Sequence, residues 1–264
     1  VVERFEKAAS KQWNIVKDAS LSEIRENADG SVTVVAKRTT ENGEELLEIP
    51  ADAVLVATGR RPNTDTLNAK NYFDVQDGGQ LSVDKYQRVL YNGAPVPGVY
   101  ALGDVSSRYQ LKHVANHEAR VVQHNLSHPE DLRASDHRYV PGAVFSNPQI
   151  AVVGMTEEQA REAAEREGFE ITVKAQNFGD TAYGWAMEDK IGLCKLIARK
   201  DNGELLGAHL VGEESSVLIQ PLLQAMSFGM DARTLARGQY WIHPALTEIV
   251  ENALLGLEFD EPAN

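Results

Sequence analysis

From Ser31 to Lys37 apolar and polar residues alternate, a turn follows at Glu41-Asn42-Gly43-Glu44, and Leu46 to Ile49 returns. That pattern predicts a β-hairpin. Asp52 to Ala57 is instead a nearly continuous apolar run stopping at Thr58-Gly59, as expected of a short strand buried on both faces. A loop-rich passage leads to Val99-Tyr100-Ala101-Leu102, which reads as a second buried strand, ending in Gly103-Asp104. From Leu111 a helix is predicted, with Leu111, Val114, Ala115, Val122 and Leu126 as one apolar stripe. The polar stretch over residues 127–137 marks a domain boundary.

Beyond that boundary Val144-Phe145 and Ile150 to Val153 predict strands, and Glu157 to Glu167 a charged helix stopped by Gly168. Three more strands are expected over residues 170–174, 193–199 and 205–211, the last two joined by a turn at Asp201-Asn202-Gly203. Helices over 216–228 and 232–237 precede a terminal one, whose Val250, Ala253, Leu254 and Leu257 recur at i, i+3, i+4 and i+7. Thr247 would cap it and Gly256 end it. Strands followed by helices, without regular βαβ alternation, predict an α+β domain with an antiparallel sheet.

Composition narrows the partners. The 264 residues leave room for one large domain or two smaller ones. A net charge of −13 argues against nucleic acid or an anionic membrane surface as a partner. No apolar run approaches the roughly 18 residues of a membrane span. The single cysteine, Cys194, excludes an intrachain disulfide and sits in a stretch of strand composition, where a buried hydrophobe is the expected role. With neither an initiator Met nor a signal-peptide pattern at Val1, the chain reads as the middle of a longer, cytoplasmic protein.

Candidate chemistry concentrates near the end. His243 is followed by Pro244 and, five residues on, by Glu248. Proline restricts the backbone after the imidazole. A carboxylate in the first turn of the terminal helix is favoured by the helix dipole and can fold back onto one ring nitrogen. Such a contact fixes the tautomer and raises the basicity of the other nitrogen, which is how an acid/base pair is built. His113 and His117 are spaced i, i+4, a spacing that suits metal chelation, but no third ligand stands at a matching position. They read as polar residues on a helix, and no metal is expected.

Thr58-Gly59 and Gly103-Asp104 close the two predicted buried strands. In a doubly wound sheet ligands bind just outside the carboxyl ends of strands. Glycine there lets backbone approach a ligand, and aspartate can accept hydrogen bonds from a polyol. The helix opening at Leu111 would aim free N–H groups at an electron-rich atom.

In this order the motifs resemble the second half of the flavoprotein (pyridine nucleotide) disulfide oxidoreductases. Residues 57–63, Ala-Thr-Gly-Arg-Arg-Pro-Asn, resemble that family's ATGRxPN segment, and residues 97–104, Pro-Gly-Val-Tyr-Ala-Leu-Gly-Asp, its second FAD motif. Residues 145–154, 206–212 and 243–248 resemble landmarks of its C-terminal interface domain. Segments 111–125, 182–188 and 239–244 are similar to the branch that reduces the disulfide of a low-molecular-weight thiol.

The resemblance implies three parts: residues 1–58 as the tail of an NAD(P)H-binding domain, 59–138 as the C-terminal segment of an FAD-binding domain, and 139–264 as an interface (dimerisation) domain. The fold would then be an α+β interface domain preceded by partial FAD/NAD(P)-binding α/β segments. The implied cofactors are FAD and NADPH, and the implied partners a second copy of the chain and a small thiol disulfide. Thr58, Gly59, Gly103 and Asp104 would face the cofactor, with Asp104 on the ribityl chain of FAD. Leu111, Lys112 and His113 would stand at the flavin pyrimidine edge, and His243 with Glu248 would form the acid/base dyad. The family's first glycine motif, Cys-x4-Cys pair and nicotinamide loop are missing here, so the chain is expected to be a C-terminal fragment that does not by itself hold FAD or run the reaction. Two rivals share the fold: a dimerisation module without catalysis, and a dihydrolipoamide dehydrogenase-like flavoenzyme.

Overall fold

Three antiparallel strands, β1 (Ala19–Glu26), β2 (Val32–Thr40) and β3 (Gly43–Ala51), form the smaller of two units in the computed structural model, which describes residues 1–260. This unit spans residues 9–61. The hairpin forms as expected, with the tight turn pairing Thr40 with Gly43 at φ +114°, but burial in β2 does not alternate: the neighbours Val35 and Ala36 are both buried, one on each face. β1 pairs with the other edge of β2 and was not foreseen, because Ala19 to Glu26 is mostly polar and every residue in it is exposed.

The apolar run Asp52–Ala57 departs from its reading as a buried strand. It pairs with no strand among the described residues, and Leu55 is 91% exposed. An apolar strand of this type needs neighbours on both edges and cover on both faces, and the described chain supplies neither to this segment.

The larger unit holds residues 1–8 and everything from Pro62 on. It begins with α1 (Val2–Ala9), then β4 (Arg88–Tyr91) and β5 (Ala94–Tyr100), an antiparallel pair. The expected second buried strand is thus a half-buried hairpin arm that ends at Tyr100, followed by a single 3-10 turn over Gly103–Val105. Helix α2 (Lys112–Ser127) begins where the apolar stripe does, but its inner face is Val114, Glu118, Val121, Val122 and Asn125, and Leu126 points out. The two polar members are bonded: Asn125 donates to the carbonyls of Tyr86 and Arg133 and accepts from the Arg133 N–H at 2.7 Å. Buried polar groups satisfied in this way tie helix to loop and cost little.

The remainder is the expected antiparallel sheet with helices. β6 (Gly142–Val144), β7 (Gln149–Gly154), β8 (Ile171–Asn177), β9 (Leu193–Arg199) and β10 (Leu205–Gly212) lie in the order β6-β7-β10-β9-β8. α3 (Glu157–Glu167) carries a capping box on Thr156 and Gln159 and stops at Gly168 in the left-handed region. α4 (Ala182–Ala186) sits in the β8–β9 connection. The helix expected over 216–228 is two, α5 (Ser215–Leu218) and α6 (Gln220–Phe228), with Pro221 at the start of the second. α7 (Ala232–Arg237) and α8 (Glu248–Leu255) complete the domain. The core joins Leu196, Ala198, Leu205 and Leu210 of the sheet to Leu222, Leu235, Ile249 and Leu254 of the helices. The last four residues of the expected 139–264 domain lie outside the described residues. No helix among the described residues is long and apolar enough to cross a membrane.

Candidate functional site

The apolar face of α8 anchors the dyad. Ile249, Val250, Ala253 and Leu254 are all at most 1% exposed, and each large side chain among them contributes about 1.5–3 kcal/mol by burial. That fixes the helix start, and with it Glu248, against the sheet. Thr247 does not cap the helix as expected: it has helical backbone angles and its hydroxyl makes no capping bond. The Glu248 carboxylate instead reaches back to the segment before the helix, accepting from the Ala245 N–H at 3.1 Å through Oε2.

Its other oxygen, Oε1, lies 2.7 Å from His243 Nδ1. A carboxylate can only accept, so Nδ1 carries the hydrogen and donates it. Nε2 is left as the exchanging position. The imidazole side chain is 67% exposed and the Glu248 side chain 16%: the ring faces outward and the carboxylate that holds it is sheltered. The hydrogen bond from His243, more than any other influence, lowers the Glu248 carboxyl below its ordinary range.

His243 and Pro244 line a cavity of about 510 Å3 with Gly179, Asp180, Thr181, Tyr183 and Trp185 from the β8–β9 connection. The histidine ring therefore sits at a walled surface. The sequence reading used residues 182–188 only as a likeness and missed their place beside the dyad. Two aromatic residues within a short stretch of small ones were the available signal.

The second cluster lies around the start of α2. Gly103 has φ +71°, and a Cβ there would meet the Ala115 methyl at 3.2 Å, so glycine allows the turn to lie against the helix. The Gly103 N–H donates to Glu118 Oε2 at 2.7 Å, and Glu118 Oε1 is 3.0 Å from His137 Nε2. Glu118 is 1% exposed and went unnoticed in the sequence, where a carboxylate one turn after Val114 on an apolar stripe was its one trace. Asp104 follows directly and is exposed. Leu111 is the N-cap of α2 without a side-chain cap, which leaves the first N–H groups, beginning at Lys112 and His113, unmet by any capping side chain. The His113 ring turns aside, with Nε2 2.8 Å from the Pro141 carbonyl. Thr58 and Gly59 belong to the smaller unit, where both are exposed and outside any helix or strand.

The described residues contain no group of three or more His, Cys, Asp or Glu able to hold a metal ion. Cys194 is fully buried in β9, and burial pushes its thiol up to about 12. The inert reading of that residue follows, since the thiolate is the reactive form.

Two family models match the chain. Residues 3–119 match pyridine nucleotide-disulphide oxidoreductase, and residues 140–254 the dimerisation domain of the same group. Mycothione reductase of Mycobacterium tuberculosis is 52% identical over 97% of this chain and 53% of its own length. A chloroplastic dihydrolipoyl dehydrogenase of Arabidopsis thaliana is 32% identical over 92% of the chain and 42% of its own. Among solved structures, an HOCl-induced flavoprotein disulfide reductase from Escherichia coli superimposes with a TM-score of 0.81 at 27% identity, covering 97% of this chain and 55% of that one. The chain spans about half the length of the curated relatives it matches. Its antiparallel sheet, its helices and both matched segments make it a member of the pyridine nucleotide-disulphide oxidoreductase family.

Proposed function

We propose that the chain is the C-terminal portion of a cytoplasmic, NADPH-dependent, FAD-containing disulfide reductase that reduces mycothiol disulfide, with His243 and Glu248 as its acid/base pair. Residues 1–58 belong to its nicotinamide-binding part, 59–138 to its FAD-binding part and 139–264 to the interface through which two copies associate. The 2.7 Å bond between His243 Nδ1 and Glu248 Oε1 carries the catalytic reading, and the 52% identity to mycothione reductase carries the choice of substrate.

The residues present fit one end of FAD. The uncapped start of α2, the close Gly103 turn and the exposed Asp104 offer N–H donors and a carboxylate acceptor, suited to a pyrimidine edge and a polyol. Thr58 and Gly59 stay in the proposed cofactor set on the motif they share with the family. When bound, FAD supplies the relay of two electrons from NADPH to a disulfide. His243 holds a proton at Nε2 and gives it to the thiolate released when the substrate disulfide opens, then removes one from a thiol in the reverse sense. Glu248 holds the ring by accepting the Nδ1 hydrogen, which leaves Nε2 turned outward.

In the full-length protein, NADPH oxidation driven by mycothiol disulfide should fall about 10²–10⁴-fold in His243→Ala, the usual worth of a positioned acid/base group. Unchanged turnover would remove the dyad from the mechanism. A wild-type protein that oxidises the nicotinamide cofactor with lipoamide-type disulfides and not with mycothiol disulfide would move the chain to the dehydrogenase branch.

A further inference from the structure

A second cavity, of about 440 Å3, is walled by the strands and turns over residues 76–87, by the loop between Gly103 and α2, and by Ser135 and His137. Neither member of the dyad lines it, nor do Gly103, Asp104, Leu111, Lys112 or His113. Three side-chain oxygens there are buried and meet no partner among the described residues: Gln87 Oε1, Ser106 Oγ and Ser135 Oγ. Gln87 is 3% exposed and Ser106 8%. Buried polar groups are nearly always hydrogen-bonded, so three orphans on one cavity call for a common partner. Gln87 also holds its backbone at φ +66°, a left-handed conformation that residues with side chains rarely adopt. Strain of this kind persists where the surroundings make use of it.

The charges at the cavity identify that partner. Its two carboxylates are already matched. Asp84 accepts from the N–H groups of Tyr86 and Arg88 and pairs with the Arg88 guanidinium at 2.7 Å, while Glu118 accepts from the Gly103 N–H and faces the His137 ring. Its two exposed cations are not. The Lys85 ammonium lies 5.0 Å from the Tyr86 ring centroid. The Arg108 guanidinium lies 4.8 Å from the ring centroid of Tyr109, to whose hydroxyl it donates at 2.8 Å. Among the described residues neither cation pairs with a carboxylate. Together with serine hydroxyls and an amide as donors, they suit a small oxyanion. An amide oxygen can only accept, so the anion that completes the set also brings a hydrogen for Gln87 Oε1. Hydrogen phosphate does; sulfate and chloride do not.

We infer that this cavity is a phosphate site. Lys85 and Arg108 supply the counter-charge, Ser106 and Ser135 donate to the anion's oxygens, and Gln87 Oε1 accepts its hydroxyl hydrogen. The Ser106 and Ser107 N–H groups already donate to the Gly103 carbonyl at 3.0 and 2.7 Å. A bound phosphate thus braces the loop that joins the Gly103 turn to the start of α2, the two elements proposed to face FAD. The site is independent of the His243 chemistry.

Titration of the 264-residue chain with inorganic phosphate by calorimetry, at neutral pH and constant ionic strength, should show one saturable site, and the thermal midpoint should rise with phosphate. Sulfate, which leaves Gln87 Oε1 unpaired, should bind about tenfold more weakly. Arg108→Gln and Lys85→Gln, both at exposed positions, should each weaken phosphate about tenfold, the loss expected for one charge-assisted hydrogen bond. Ser106→Ala should weaken it without lowering the midpoint of the phosphate-free chain, because that hydroxyl bonds nothing in the protein. Glycerol 3-phosphate decides the source: tighter binding than the inorganic ion assigns a phosphate ester, equal or weaker binding the free ion, and either keeps the phosphate site. No saturable binding, sulfate bound as tightly as phosphate, or unchanged affinity in both charge variants overturns the inference. The same titration on the full-length, flavin-loaded protein separates the site from the phosphates of FAD itself. Binding there that is again weakened by Arg108→Gln supports a separate site, and an Arg108-dependent site that vanishes on loading with FAD overturns it.

Discussion

One hydrogen bond joins an exposed ring, His243, to a sheltered carboxylate, Glu248, and that bond has a pH sign. The Glu248 carboxyl titrates below its ordinary value because ionisation preserves the bond from His243. The stability it contributes is fully present above the unfolded carboxyl value of about 4.3 and is lost as pH falls through the lower folded value. Histidine-ring NMR should therefore show the Nδ1-protonated, ordered ring of His243 at neutral pH and its release only in acid below that value. Glu248→Gln should release the ring's preference across the whole range while leaving the thermal midpoint nearly unmoved, since the pair lies at the surface. Cys194 gives a contrasting residue-scale expectation. A thiol pushed up to about 12 and sealed inside β9 should resist iodoacetamide at pH 8 in the native chain and react at once in denaturant. Labelling of the native chain would show that β9 opens.

At the scale of elements, α2 and the Gly103 turn are one piece joined through Glu118. Replacing Glu118 by Ala strands the Gly103 N–H and the His137 ring, a loss of about 1–3 kcal/mol that denaturant unfolding can read. In α8, Leu254→Ala should cost about 2–5 kcal/mol, because the side chain is 1% exposed in the core. Such differences explain what the sequence made legible. Val250, Ala253, Leu254 and Leu257 announced α8 by their spacing, and all four are buried, since helical period and burial are the same fact there. The hairpin of β2 and β3 was equally plain, as were the capped α3 and the sheet strands. Glu118 and Asn125 were invisible because a polar letter on an inner face looks like a solvent letter until its partner is known. β1 was missed for the same reason reversed: its mostly polar, fully exposed residues join the sheet through the backbone ladder and a surface ion pair of Arg25 with Glu48, neither of which leaves an apolar period. Of the candidate site, His243 and Glu248 could be placed by spacing, whereas Trp185 and Tyr183 meet them across more than 50 residues of chain.

For the whole molecule, the two units predict unequal protection. Amides of Val54 to Val56, outside any ladder and exposed, should exchange in seconds, while those of Leu196 to Ala198 should last far longer. Slow exchange in the first set would mean that the segment is paired after all. The misreading of residues 52–57 belongs to this scale as well, because an apolar run reports a need for burial and cannot report who supplies it. The order β6-β7-β10-β9-β8 has a further consequence, for the making of the protein. The strand that arrives last, β10, is the one that sits in the middle, between two antiparallel pairs already synthesised. Until residue 212 has left the ribosome, β7 and β9 each present an unpaired edge, and open edges recruit strands from other chains. A nascent polypeptide halted near residue 204 would thus carry two half-sheets with nothing between them, so this stretch of translation is where a chaperone or a neighbouring chain has its opportunity.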